Sequence, residues 1–221
     1  MCAPRRPRRA PRCVAAATLA LTLIGASVGC ARGGSNDAAA QASSADATSA
    51  SGFEGGLLPS GLQARQFTLT DQYSRRVSLR SFRGRVVILA FLYSSSKSTA
   101  PLIAQQIRGA LDELALEPHP PALAALAVSV DPTADTPPRV HAFLRASALA
   151  GRIEYLTGTP AQLRPIWHAY RVLPAGAGPR AYEDAAFVLL IDRAGDERVE
   201  LPLEQLTPEA LAHDVRRLAE E

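Results

Sequence analysis

Arg85-Val-Val-Ile-Leu-Ala-Phe-Leu-Tyr93 is the stretch that decides the fold. No polar side chain interrupts it between Val86 and Leu92. A strand with one wet face would alternate, so an unbroken run reads as a strand buried on both faces. Upstream, Gln66-Phe-Thr-Leu-Thr70 and Arg76-Val-Ser-Leu79 do alternate, and they flank a turn-like segment at 71–75. That pattern reads as a hairpin. Downstream, Leu102, Ile103, Ile107, Leu111 and Leu114 recur at helical spacing, and residues 123–130 form a second buried strand.

Three later helices share one start signal: Thr136-Pro137, Thr159-Pro160 and Thr207-Pro208. The threonine hydroxyl can accept an orphan backbone N–H. Proline costs nothing at the first helical position, where its missing N–H would be unpaired. Apolar residues then follow in helical period: Val140/Phe143/Leu144, Leu163/Ile166/Trp167/Tyr170 and Leu211/Val215/Leu218. Residues 154–156 read as a short strand, and 186–191 with 198–201 as a closing hairpin. The order β-β, β-α-β-α, β-α, β-β-α predicts a mixed α/β sandwich, with a central β-α-β unit and a final β-β-α unit as in a thioredoxin-like fold.

The totals of the chain mislead until it is divided. Its 221 residues are 47% hydrophobic and 20% charged, which permits a full core. Net charge is +3, and there are three cysteines, Cys2, Cys13 and Cys30. Five arginines (Arg5, Arg6, Arg8, Arg9 and Arg12) precede an apolar run from Val14 to about Val28, with no acidic residue in the stretch. A basic head, a short apolar segment and small residues at its end describe an export signal, expected at 1–29. The run is too short for a confident membrane span of about 20 residues. It closes on Ser27-Val28-Gly29-Cys30, which resembles a bacterial lipobox and makes Cys30 the expected lipid anchor, although Ser27 stands where that pattern prefers leucine.

Without residues 1–29 the chain keeps 19 of its 24 Lys and Arg against all 21 Asp and Glu, a net charge of about −2. No basic stripe is expected to survive that would track a phosphate backbone, so nucleic acid is not an expected partner. Residues 30–62, rich in Ala, Ser and Gly, read as a lipidated tether, with a loosely packed arm around Phe53 to Leu58 as the alternative, and 63–221 as the folded domain. An extracytoplasmic, periplasmic-side position on a bacterial membrane follows as the expectation.

Several blocks are similar to the SCO (SenC) family. They are Phe67-Thr-Leu-Thr-Asp71, Val77-Ser-Leu79, Phe82-Arg-Gly84, Ser129-Val-Asp-Pro132 with Asp135-Thr-Pro137, Leu156-Thr-Gly-Thr-Pro160, and Ala186-Phe187 through Asp192 and Gly195. The resemblance covers about residues 65–220. It implies a membrane-tethered thioredoxin-like domain that binds copper in cytochrome c oxidase assembly, through a Cys-x-x-x-Cys and a distant histidine. Thiolate and imidazole suit copper because they are soft enough to hold it in a low coordination number.

In this chain those ligands are replaced. Aligned on Phe91, Tyr93 and Pro101, the cysteine positions fall on Ser96 and Ala100, and the histidine position falls on Asp184. No histidine lies between His168 and His213. Lys97, the only lysine of the chain, adds positive charge to the former ligand loop. The sequence therefore predicts no catalytic residue, no metal ligand and no cofactor, and a dithiol cycle is impossible. Lys97, Glu183 and Asp184 become candidates for a partner-binding loop, overhung by residues 173–180, with a respiratory oxidase subunit or assembly factor as the expected partner. Two other readings stay open: a metal site rebuilt from Asp184, Glu183 or a histidine, and a serine-dependent enzyme using the Ser94–Thr99 loop.

Overall fold

The computed structural model describes residues 52–172, 180–183 and 185–221. Cys30, the expected signal, the loop at 173–179 and Asp184 lie outside the described residues. Among the described residues no helix is long and apolar enough to cross a membrane.

Among the described residues, eight strands and five helices follow in chain order. The strands are β1 (Gly56–Leu57), β2 (Thr68–Thr70), β3 (Arg76–Ser78), β4 (Val86–Leu92), β5 (Leu123–Ser129), β6 (Glu154–Leu156), β7 (Phe187–Ile191) and β8 (Glu197–Pro202). The helices are α1 (Thr99–Ala115), α2 (Pro137–Ala146), α3 (Pro160–Ala169), the single turn α4 (Arg180–Glu183) and α5 (Pro208–Glu220). A 3-10 turn, Leu79–Phe82, leads into β4.

Six strands form one mixed sheet in the order β1-β8-β7-β4-β5-β6. β4, β5 and β6 are parallel, whereas β7 runs antiparallel to β4 and β8 antiparallel to β7. Every residue of β4 and β7 is buried, as an apolar strand in the middle of a covered sheet must be. The β2–β3 hairpin stands apart and is stitched to the end of β6 by paired backbone bonds between Thr70 and Thr157, 3.0 and 2.8 Å. The expected α/β architecture with its N-terminal hairpin is the observed one.

Two expectations need correction. The packed domain starts earlier than residue 63: Phe53 is buried, and β1 adds a sixth strand to the β8 edge. The Asp214 carboxylate accepts the N–H groups of Glu54 and Gly55 at 2.8 and 2.9 Å, which ties this arm to α5. Of the three threonine caps, Thr159 and Thr207 accept the N–H three residues on, at 3.3 and 3.1 Å, but Thr136 makes no side-chain cap. At Thr159 the box closes, because Gln162 Oε1 accepts the Thr159 N–H at 2.9 Å.

Candidate functional site

The parallel strands of a sheet leave their C-terminal ends free, and the loop leaving β4 there carries Tyr93, Ser94, Ser95, Ser96 and Lys97. Two buried groups fix its shape. Asp135, 2% exposed, accepts the Ser94 N–H at 2.7 Å through one carboxylate oxygen. Through the other it accepts the Ser129 hydroxyl at 2.6 Å and the Tyr155 hydroxyl at 2.7 Å. Burial, and then the charge on Asp135, push the Tyr155 phenol far above its usual range, so it stays a donor. The aromatic core Phe91, Tyr170, Tyr182 and Phe187 lies beneath, with ring centroids 5.5 to 6.5 Å apart.

Ser96 is buried at the mouth of α1, where its hydroxyl oxygen accepts the Ala100 N–H at 3.2 Å. This is the helix cap that Ser98 does not supply. The same hydroxyl donates to Glu183 Oε1 at 3.1 Å, and the Tyr93 phenol donates to that oxygen as well. Ser96 and Tyr93 thus meet on Glu183 and join the β4–α1 loop to α4. Ala100 is buried directly behind it, and Lys97 is exposed.

The structure therefore brings the neighbouring Ser96 and Ala100 together with Glu183, which lies 87 positions from Ser96 in the chain. It does not bring in a histidine. His213 bonds the Gly52 carbonyl at 3.1 Å, His141 packs on Tyr73 with centroids 5.2 Å apart, and His119 and His168 are exposed. Ser96 has no imidazole base to activate it, since its partner is a carboxylate that already accepts two hydroxyls. Among the described residues no three His, Cys, Asp or Glu side chains cluster to hold a metal. The donors at the family's copper position are hydroxyl and carboxylate oxygens, hard groups that suit neither the softness nor the low coordination number of copper(I). The residues present do not fit that ion.

Tyr93 and Asp135 escaped the sequence reading as site residues. Tyr93 looked like the end of an apolar strand. Asp135 reads as part of a helix start, because it stands directly before the Thr136-Pro137 signal and six residues past β5.

The SCO1/SenC family model matches residues 59–220. A mitochondrial SCO1 homolog 2 of Arabidopsis thaliana is 34% identical over 106 residues, 48% of this chain and 37% of that protein. The chain thus spans little more than a third of that relative. A copper-bound ScoI of Bradyrhizobium japonicum superposes with a TM-score of 0.52 at 26% identity, covering 72% of this chain and 99% of that one. Copper-bound yeast Sco1 gives 0.60 at 21%, over 74% and 95%. A thioredoxin domain of a thiol-disulfide oxidoreductase from Bacteroides vulgatus gives 0.55 at 14%, over 73% and 99%, a likeness of fold alone. The fold is thioredoxin-like, and with nearly all of the folded domain inside the family match, the chain belongs to the SCO1/SenC family.

Proposed function

We propose that this chain is a membrane-tethered, non-catalytic binding module of respiratory oxidase assembly, one that has kept the SCO scaffold and given up copper as cargo. One solved relative is described as a member of a family of cytochrome c oxidase assembly proteins, which supports the process. The loss of cargo rests on a single observation. Where the resemblance places two thiolates, the side chains are a hydroxyl committed to Glu183 and a methyl with no donor atom. One Glu183 oxygen takes both hydroxyls, so the group holds the β4–α1 loop to α4 in one arrangement. The surface it shapes, with exposed Lys97 beside it, is the face we assign to the partner.

Titration of the purified chain with Cu(I) and Cu(II) against a competing chelator tests this reading. No stoichiometric binding below micromolar copper is expected. Sub-micromolar binding that disappears in Asp184→Ala would instead establish a rebuilt metal site. The tether is tested separately by mass spectrometry of the mature N-terminus. The expected species begins at Cys30 and carries a thioether-linked diacylglyceryl group; a mature chain that begins elsewhere, with an unmodified thiol, refutes it.

A further inference from the structure

The strongest charge segregation in the folded domain lies away from the site. Arg75, Arg76, Arg80, Arg83 and Arg85 fall within eleven residues that contain no acid, whereas the whole chain has 24 Lys and Arg in 221. Local folding turns all five outward. Val77, Leu79, Phe82 and Val86 alternate with them and are buried, so the backbone is pinned while every arginine stays exposed. Exposed Arg193 extends the group, since the Gly84 N–H bonds the Arg193 carbonyl at 2.8 Å.

The result is a band rather than a point, which corrects the expectation that no basic stripe survives outside the leader: the net charge of the domain hides five exposed arginines gathered in one segment. At the β6 flank, Arg75 and Arg85 both act on the Glu154 carboxylate. At the other end, Arg83 lies against Gly195 in the β7–β8 turn and donates to Gln63 at 3.3 Å. The acids nearby offset only part of this charge. Asp71 is buried and spent on Arg75, and Asp192 pairs with Arg198. Asp196, bonded by the neutral Gln63 amide, keeps its charge at the Arg83 end, and Glu154 feels Arg75 and Arg85 together with Asp71. The side chains of Arg76, Arg80 and Arg85 have no hydrogen bond or ion pair among the described residues.

We infer that this band is a docking surface for anionic phospholipid headgroups. Guanidinium forks match phosphate oxygens two at a time, and a broad exposed band fits a sheet of headgroups better than one small ligand. The exposed aromatic beside it, Tyr73, already packs with His141 and Arg75, so it offers no free platform for a nucleic-acid base. The choice of a lipid surface over other polyanions rests on the membrane-tether reading above. A tether of Ala, Ser and Gly sets distance but not orientation, and the band supplies the orientation. It lies where β4 begins, so the candidate site, where β4 ends, is turned toward the aqueous side.

The test uses the chain from residue 31, the form left when the export signal is removed and Cys30 omitted, so that neither the basic nor the apolar part of the leader contributes. Partitioning is measured on phosphatidylcholine vesicles with and without 30% phosphatidylglycerol, at low and high salt. Binding is expected only with the anionic lipid and at low salt. The further changes Arg76→Gln, Arg80→Gln and Arg85→Gln should weaken it on the order of 100-fold, about five-fold per arginine, with the thermal midpoint unchanged. Binding that ignores lipid charge, or that survives the triple substitution, overturns the inference, as does tighter binding to single-stranded polynucleotide than to the anionic vesicles. The result is independent of whether Cys30 is lipidated, so this reading and the tether can fail separately.

Discussion

Ser96 and Ala100 differ from a copper-binding pair by one atom each, and that gives the copper question a gain-of-function test. The bond from the Ala100 N–H to Ser96 Oγ holds Ser96, in the loop before α1, against the first turn that carries Ala100. Ser96→Cys with Ala100→Cys and Asp184→His should therefore gain stoichiometric Cu(I) binding at sub-micromolar free copper, read by competition with a chelator. If the triple variant folds and binds no copper, the loop geometry, and not only the ligand set, has departed from the family.

A second residue carries a pH signature. Glu197 is 6% exposed at the start of β8, and burial pushes its carboxyl up to about 6, opposed by Arg171 and reinforced by Glu200. The folded state therefore holds this proton more tightly than the unfolded chain does. Its stabilising contribution is full below the ordinary carboxylate range near 4.5 and is lost as pH rises through 6. Glu197→Gln should raise stability at pH 7.5 by at most about 2 kcal/mol and add almost nothing at pH 4. Chemical denaturation at the two pH values measures the difference. A gain that is equal at both would remove the ionised carboxylate as its cause.

At the scale of elements, α1 and α5 meet through a glycine. A Cβ on Gly109 would lie 2.8 and 2.9 Å from the ring carbons of Pro208, the first residue of α5. In an isolated helix Ala would win over Gly by about 1 kcal/mol. Here close approach wins, and Gly109→Ala should destabilise the domain by about 1–3 kcal/mol through overpacking. Gly109→Ala with Pro208→Gly should recover part of that loss in a thermal melt, because both clashing atoms, Cγ and Cβ of the proline, are then gone. Failure of the second change to rescue the first would place the strain elsewhere, the clamp of Arg216 on Glu113 at 2.6 Å being the nearest contact between the same helices. Where one local motif decides an end, the cost is smaller. Thr159→Ala opens the capping box of α3 and should cost about 1 kcal/mol.

For the whole molecule, what could be read from the sequence follows the reach of each physical signal. The run at 86–92 announces a central strand because burial on both faces removes every polar residue, and the Thr-Pro pairs announce helix starts because the chemistry is local. β1 was not legible. Two residues, Gly56 and Leu57, are too few to alternate, and they pair only because the β8 edge is free. The meeting of Ser96 with Glu183 spans 87 positions, so only the family resemblance hinted at it. The boundary near residue 63 missed the arm for the same reason. Its hold is a buried acid on a distant helix, invisible in the low-complexity run before it. That hold can be isolated. Asp214 is fully buried, and its carboxylate satisfies two N–H groups that would otherwise be orphaned. Asp214→Ala in the full chain should cost about 2–3 kcal/mol. In a chain that begins at residue 63 the arm and its N–H groups are gone, and so are Phe53 and β1. That chain should melt lower, and Asp214→Ala within it should cost close to nothing. Comparing the four melts closes a cycle. Equal costs in the two backgrounds would show that Asp214 stabilises α5 itself and that the arm merely rests against it.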